Sequence, residues 1–129
     1  MVALEWLKRH YDNVDGNCWK SEYRDRVFGG ITGDDSLGYD FEVFEKRKRL
    51  HFEVKATSGE RPLIELGPSE IRAAQKKGSA NRYRILFISN VLAPEARRIL
   101  VLPNPFSESG RGYFRSVGSG VSYEFRLQE

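Results

Sequence analysis

The chain has 129 residues, 40% of them hydrophobic and 30% charged, with a formal net charge of +3, which is the size and composition of one soluble globular domain. Cys18 is the only cysteine, so an intrachain disulfide and a cysteine-based zinc site are excluded. No apolar run approaches the roughly 20 residues that span a membrane, and the N-terminus has no signal-peptide core, so we expect a cytoplasmic protein without membrane contact.

The N-terminal part of the chain combines a helix with a long irregular segment. Apolar residues recur at helical spacing over residues 2–11, which predicts a helix. An Asp-Gly pair predicts a turn over residues 12–17, and residues 18–23 have the composition of a short strand. Residues 23–38 are rich in Gly and Asp and predict a long loop, and loops of this length are usually functional or mobile.

The middle of the chain predicts a β-hairpin. Two strand-like runs, residues 39–44 and 50–56, enclose the charged segment 45–49. Residues 57–61 predict a turn, and residues 62–66 predict a further short strand. This hairpin carries most of the chemically informative residues of the chain.

The second half predicts one helix and several strands. A proline at the first helical position supports a helix over residues 68–78. Residues 83–91 contain an uninterrupted apolar core, which is typical of a buried central strand. Residues 99–102 predict another strand, and residues 113–117 and 121–127 predict a closing hairpin. Together the elements predict one α/β (α+β) domain over the whole chain, with a mixed central β-sheet flanked by about two helices.

Strand alternation groups three polar residues of the second hairpin strand. The apolar residues of segment 50–55 take one face and point to a core, whereas His51, Glu53 and Lys55 take the other. Glu53 and Lys55 therefore project together, with roughly 7 Å between their Cα atoms. Asp40, on the preceding strand, lies opposite or diagonal to Glu53 in one register, but a slip of one residue turns it to the other face.

Two carboxylates and one ammonium on a sheet face suit metal-dependent phosphodiester hydrolysis. Mg²⁺ prefers oxygen ligands, often one or two carboxylates with waters and phosphate oxygens, so Asp40, Glu53 and the Val54 carbonyl are candidate ligands. The ion would polarise the phosphodiester and activate a water, while Lys55 would position that water or offset developing charge. The alternative is an amphipathic hairpin with a surface Glu-Lys pair, because an exposed ion pair contributes only about 0–1 kcal/mol.

The same residues carry a family resemblance. The Gly38-Tyr39-Asp40 start, the hairpin and the Glu53-Val54-Lys55 triplet resemble the PD-(D/E)XK nuclease superfamily. They are more closely similar to the domain at the C-terminus of the plant protein NO VEIN, which also occurs in bacterial proteins linked to restriction and phage defence. Glu70, early in the next helix, and Tyr83, opening an apolar strand, extend the resemblance, which covers roughly residues 2–102.

The resemblance implies a restriction-endonuclease-like fold, Mg²⁺ or Mn²⁺ as cofactor, and hydrolysis of DNA phosphodiester bonds. Glu5, on the first helix, matches an acidic residue that often completes the metal site, although an exposed helix carboxylate is the alternative. Glu70 is an accessory candidate whose position in the first helical turn the helix dipole already explains. Tyr83 is expected to be a packing residue. The catalytic set that the resemblance implies is Asp40, Glu53 and Lys55.

Clustered basic residues are the expected DNA contacts. Charge runs are usually solvated faces of turns and helices. Beside a nuclease site they would instead bind DNA phosphates, and the affinity for DNA would fall steeply as the salt concentration rises. The expected contact residues are Lys46, Arg47, Lys48, Arg49, Arg72, Lys76 and Lys77.

These observations leave three functional hypotheses. The first is a metal-dependent DNA endonuclease acting in restriction or phage defence, together with other subunits or domains of such a system. The second is a catalytically inactive module of the same fold that binds DNA or a protein partner within a larger assembly, and the third is a purely structural domain. The joint presence of two carboxylates and a lysine favours the first. Cleavage of both strands usually needs two active sites, so a homodimer is also considered.

Overall fold

A computed structural model describes most of the chain. The described residues are 2–11, 40–45, 48–76, 81–118 and 121–126. The turn, strand and loop predicted over residues 12–38 lie outside the described residues. The predicted DNA contacts Lys46, Arg47 and Lys77 lie outside them as well.

The described residues form three helices and seven strands. They are α1 (Val2–His10), β1 (Phe41–Glu45), β2 (Lys48–Ala56), β3 (Leu63–Glu65), α2 (Pro68–Gln75), β4 (Tyr83–Ser89), β5 (Arg98–Pro103), α3 (Glu108–Tyr113), β6 (Arg115–Val117) and β7 (Ser122–Glu124). The predicted first helix, the hairpin, the helix at Pro68 and the apolar strand at Tyr83 are confirmed. The short helix α3 was not predicted. None of the helices in this part of the chain is long and apolar enough to cross a membrane.

Four strands form a mixed sheet in the order β1-β2-β4-β5. Strand β2 runs parallel to β4, whereas the β1–β2 and β4–β5 pairs are antiparallel. Strand β4 lies in the interior of this sheet, as its continuous apolar sequence predicts, because a strand covered on both faces has no polar side. The α/β class with a mixed central sheet is therefore confirmed.

A second, three-stranded sheet has the order β3-β7-β6 and is antiparallel throughout. The sequence predicted one sheet only, so this part of the prediction was wrong. Strand β3 pairs Leu63 with Glu124, and the N–H of Phe125 donates to the carbonyl of Pro62 at 3.0 Å. The early strand β3 is therefore held by the end of the chain, a pairing that local patterns do not encode.

The mixed sheet separates two hydrophobic clusters. Its first face, which carries Leu50 and Phe52 of β2, packs against the apolar side of α1. Its second face, which carries Ile85 and Phe87 of β4, packs against α2 and the smaller sheet. Because side chains alternate along a strand, Glu53 belongs to the second face. The polar residues of β2 thus lie on the side that α2 covers.

Candidate active site

The register of the β1–β2 hairpin answers the open question about Asp40. Phe41 pairs with Phe52, so continuing the register places Asp40 level with Glu53. The N–H of Asp40 donates to the carbonyl of Phe52 at 2.8 Å, and its carboxylate oxygen Oδ2 accepts the N–H of Val54 at 2.8 Å. These two bonds hold the Asp40 carboxylate beside Glu53, as the predicted catalytic set requires.

The backbone of Val54 faces the β1 edge of β2. The neighbouring odd-numbered residues His51 and Thr57 donate their N–H groups to the other side, toward β4, at 2.8 and 2.9 Å. The N–H and C=O of one strand residue point to the same edge, so the Val54 carbonyl lies on the same side of β2 as Asp40. The side chain of Val54 packs against the first-face cluster and anchors the strand.

Glu53 is a buried acid, with 7% of its surface exposed. Burial raises the pKa of Glu53 to about 11, supported by a hydrogen bond with Glu70 and by the negative charges of Asp40 and Glu70. Lys55 opposes this shift but does not outweigh it. In the protein without metal, Glu53 is therefore a neutral carboxylic acid at physiological pH.

Lys55 is held by two carboxyl groups. Its Nζ lies 2.6 Å from Oε1 of Glu70 and 3.5 Å from Oε1 of Glu53. Burial disfavours the ammonium form, but the hydrogen bond to Glu70 and the charges of Glu53 and Glu70 outweigh burial and raise the pKa of Lys55. Lys55 is consequently a fixed cation between the two acids.

Glu70 connects this cluster to the start of α2. Its second oxygen, Oε2, accepts the backbone N–H of Gly67, the residue that caps the helix. Burial acts to raise the pKa of Glu70, but hydrogen bonds from Glu53, Lys55 and Gly67 outweigh it and lower the pKa. The helix dipole alone, which the sequence offered as an explanation, leaves out these contacts. Glu70 is a counter-ion of Lys55 as well as a helix cap.

Tyr83 borders the same cluster from β4. It is completely buried and pairs with His51 across the parallel ladder. Burial, followed by the negative charges of Glu53, Glu70 and Asp40, raises the pKa of its phenol. Tyr83 is thus a packing residue, as expected, and its uncharged phenol also borders the acidic cluster.

The structure does not bring Glu5 to this cluster. Glu5 is exposed on α1, and α1 packs on the first face of the sheet, opposite to the face of Glu53. Among the described residues, no three or more His, Cys, Asp or Glu side chains are grouped so that they could hold a metal ion. Of the predicted metal ligands, Asp40, Glu53 and Val54 are therefore close together, whereas Glu5 lies on the other side of the sheet.

Basic residues lie close to His51, which is on the same face of the sheet as Glu53. Lys48, Arg49, Arg72 and Lys76, all predicted DNA contacts, are exposed. Lys48 alternates with Arg49 and therefore points to the first face, away from Glu53. His51 is half-buried; burial, together with the nearby cations Arg49, Lys76 and Arg82, lowers its pKa, although Glu42 acts to raise it. Arg49, Lys76 and Arg82 therefore lie around His51, which is two positions before Glu53 on β2. Arg82 was not among the expected DNA contacts; it precedes β4 and approaches β2 through the parallel pairing.

Comparison with known proteins identifies the family. The family model described as "Protein NO VEIN, C-terminal" matches residues 16–101. The chain belongs to this family. The NO VEIN C-terminal match contains the whole acidic cluster, Lys55 and Tyr83, and it excludes Glu5. No curated protein and no solved structure shows a significant match to the chain.

Replacing Glu53 by glutamine should stabilise this NO VEIN C-terminal domain when no divalent metal is present. The pKa of Glu53 rises from 4.5 to about 11 on folding, so its stabilising contribution is complete below 4.5 and is lost progressively as pH rises toward 11. Glutamine keeps the hydrogen-bonding capacity without ionising. We expect Glu53→Gln to raise the free energy of unfolding by at least about 2 kcal/mol at roughly pH 8 and by much less at roughly pH 5.

Urea denaturation in the presence of EDTA measures this difference. Glu95→Gln is the matched control, because Glu95 is exposed in the turn before β5 and its replacement should change stability by less than about 0.5 kcal/mol. A Glu53→Gln variant that is no more stable than the parent protein at the higher pH would contradict the buried neutral acid.

Replacing Glu70 should cost more stability than replacing an ordinary acid in a first helical turn. Glu70→Ala removes both the acceptor of the Gly67 N–H and the ion-pair partner of Lys55, so we expect the free energy of unfolding to fall by about 3 kcal/mol. Glu70→Gln keeps an acceptor for the Gly67 N–H and should lose about half as much. Glu108→Ala, in the first turn of α3, is the control and should cost about 0.5 kcal/mol. Equal losses for Glu70→Ala and Glu108→Ala would reduce Glu70 to a helix-dipole residue.

Proposed function

We propose that this chain is a metal-dependent DNA endonuclease of the PD-(D/E)XK superfamily that hydrolyses phosphodiester bonds, acting in restriction or phage defence. The observation that carries the proposal is the β1–β2 register, which places Asp40 opposite Glu53. Glu53 in turn is two positions before Lys55 on the same face of β2. A surface hairpin with an incidental ion pair has no need to bury Glu53 or to fix Lys55 by two carboxyl groups. The buried geometry therefore favours a chemical role over a solvated face.

The residues present fit Mg²⁺ or Mn²⁺. Mg²⁺ is commonly held by one or two carboxylates, with waters and substrate oxygens completing the shell, so a group of three acids is not required. Asp40, Glu53 and the Val54 carbonyl offer three oxygen donors around one short segment of β2. The pKa of Glu53 is raised because burial and two neighbouring acids leave its ionised form without enough positive charge. A bound divalent cation would supply this positive charge.

The protein residues have distinct roles in this proposal. Asp40 and Glu53 would hold the ion, and the bound ion would polarise the phosphodiester and lower the pKa of a water molecule. Lys55 stabilises negative charge on the reacting phosphate, since its ammonium has three N–H donors and Glu70 engages only one of them at short distance. Phe52, which is completely buried, holds β2 in place beneath these residues.

A catalytically inactive DNA-binding or protein-binding module is the second candidate. The specific observation in its favour is the ion pair of Lys55 with Glu70 at 2.6 Å, because such a network is stable without any reaction. The same basic residues would then bind DNA that is never cut. The two candidates differ in one measurable property, which is hydrolysis that depends on the metal and on Lys55.

We expect the protein to nick or cut DNA in the presence of Mg²⁺ or Mn²⁺ and to be inactive in EDTA. Supercoiled and linear DNA, each methylated and unmethylated, should be assayed on gels. Glu53→Ala and Lys55→Ala should slow cleavage by about 100-fold or more, because the first removes a ligand of the ion and the second removes the cation beside the reacting phosphate. Lys8→Ala, on the exposed side of α1, is the control for loss of a positive charge.

Cleavage that persists in EDTA, or that survives either substitution, would contradict the mechanism. Binding of DNA without cleavage of any of these substrates would select the inactive module.

Metal binding should be measurable without cleavage. At about 100 times its Kd, Mg²⁺ should stabilise the fold by about 2.7 kcal/mol, which a thermal-unfolding series with rising Mg²⁺ records. Asp40→Asn and Glu53→Gln should each remove most of this stabilisation, although Glu53→Gln stabilises the metal-free protein. Glu5→Gln should leave the Mg²⁺ effect unchanged, because Glu5 lies on the other side of the sheet. If Glu5→Gln abolishes the effect, Glu5 belongs to the ligand set after all.

A further inference from the structure

The second face of the β1–β2 hairpin carries a continuous strip of polar and aromatic side chains. The register pairs Phe44 with Arg49 and Glu42 with His51, and its continuation sets Asp40 level with Glu53. Directly opposed residues of an antiparallel pair point to the same face. The strip, defined as Phe44, Arg49, Glu42 and His51, therefore leads along the hairpin to the candidate active site.

Phe44 is the aromatic end of the strip. It is 54% exposed, whereas Phe41 and Val43 of the same strand are completely buried on the first face. The guanidinium carbon of Arg49 lies 5.2 Å from the centroid of the Phe44 ring. A single exposed apolar side chain is common on protein surfaces. An exposed ring with a cation beside it, in line with a group of acids suited to phosphate chemistry, is a specific arrangement.

The charges around the strip are positive once the ion pairs are taken into account. Glu42 is neutralised by Arg49, whose Nε lies 3.3 Å from Oε1 of Glu42. Lys76 and Arg82, which both act electrostatically on His51, are exposed, and neither is ion-paired with a carboxylate whose side chain the structure describes. A polyanion that follows the strip therefore meets these two cations.

The length of the strip fits a nucleic-acid strand. The cross-strand pair Phe44–Arg49 and the cross-strand position of Asp40 and Glu53 are four residues apart along the strands, which corresponds to about 13 Å. One strand of B-form DNA advances about 3.4 Å per nucleotide, so the ring lies about four nucleotides from the candidate site, and fewer in a stretched strand. A strand whose phosphate reaches Glu53 and Lys55 can thus reach Phe44.

We propose that the strip binds a DNA strand with unpaired bases and that one of these bases stacks on Phe44. The inference rests on the proposed function and names its substrate class: single-stranded DNA, or duplex DNA with a bubble, fork or flap. In an uninterrupted duplex both faces of each base are covered by its neighbours, so a phenyl ring has no base to stack on. A basic track with an exposed aromatic ring is the combination that binds unpaired strands.

The test measures binding in EDTA, where no metal-dependent cleavage occurs. Fluorescence anisotropy compares three DNAs of the same sequence: a single strand, a blunt duplex and a duplex with a central bubble. We expect the parent protein to bind the bubble and the single strand at least about 10-fold more tightly than the blunt duplex. Phe44→Ala should weaken binding to these two DNAs by about 10-fold and leave duplex binding unchanged.

Two further variants separate stacking from other effects. Phe44→Trp should retain the preference, and its added indole fluorescence should be quenched by the bubble but not by the duplex. Leu92→Ala is the control for loss of an exposed apolar side chain, because Leu92 is 82% exposed and lies in the turn between β4 and β5. Lys76→Ala should weaken binding of all three DNAs alike, since a phosphate contact does not distinguish paired from unpaired bases.

The inference is overturned if the parent protein binds all three DNAs equally, if it binds none of them, or if Phe44→Ala weakens them equally. These results are independent of hydrolysis. Selective binding of unpaired DNA by a protein that never cuts would remove the proposed nuclease activity and keep the inference. Metal-dependent cutting of intact duplex, with full activity in Phe44→Ala, would keep the nuclease and overturn the inference.

Discussion

The buried carboxyl group of Glu53 is the constraint on which the rest of the site depends. Burying an acid costs free energy unless it is neutral or has close polar partners. Here the hydrogen bond with Glu70 and the contact with Lys55 provide those partners, and the neutral form avoids a buried charge. Because Glu70 also caps α2, the position of that helix is coupled to the middle of β2. Sheet, helix and site are therefore stabilised by one polar network.

Packing on the first face keeps this network in a defined place. Phe52 is inserted into the cluster formed with α1, and Val54 packs against the same cluster, so the residues between and beyond them cannot turn over. On the second face, Tyr83 and Ile85 pack with the apolar side of α2. The polar groups of β2 lie in a rigid setting with apolar layers above and below, which is the arrangement that precise chemistry requires.

The sequence predicted local features well because strand alternation is a local property. The proximity of Glu53 and Lys55 follows from a period of two and needed no knowledge of the fold. The sequence could not predict that Asp40 lies opposite Glu53. That position depends on the turn of the hairpin, and a slip of one residue would move Asp40 to the other face of the sheet. The contact between Lys55 and Glu70 joins residues 15 positions apart and depends on how the chain crosses from β2 to α2.

The strands of the second sheet were predicted, but the pairing of β3 with the closing hairpin and the helix α3 were not, for a different physical reason. Strand β3 has three residues and pairs with β7, near the end of the chain, so its stability comes from a distant partner. Helix α3 contains two glycines, which lower helix propensity, but Ser107 provides the cap by accepting the Gly110 N–H at 3.0 Å. The Ser-x-x-Gly pattern alone is only a weak indication of a helix start, and the helix is stabilised mainly by tertiary packing.

The position of the acids relative to the cations is the strongest physical reason to prefer catalysis to passive binding. A surface that only binds DNA gains nothing from carboxylates beside its cations, since phosphates are repelled by them. Asp40, Glu53 and Glu70 are nevertheless grouped close to His51, around which Arg49, Lys76 and Arg82 lie. A divalent cation turns this repulsion into attraction, because it binds carboxylates and phosphate at once. Under the proposed function, such an ion would join protein and DNA, and its binding would offset the free energy needed to ionise the buried Glu53.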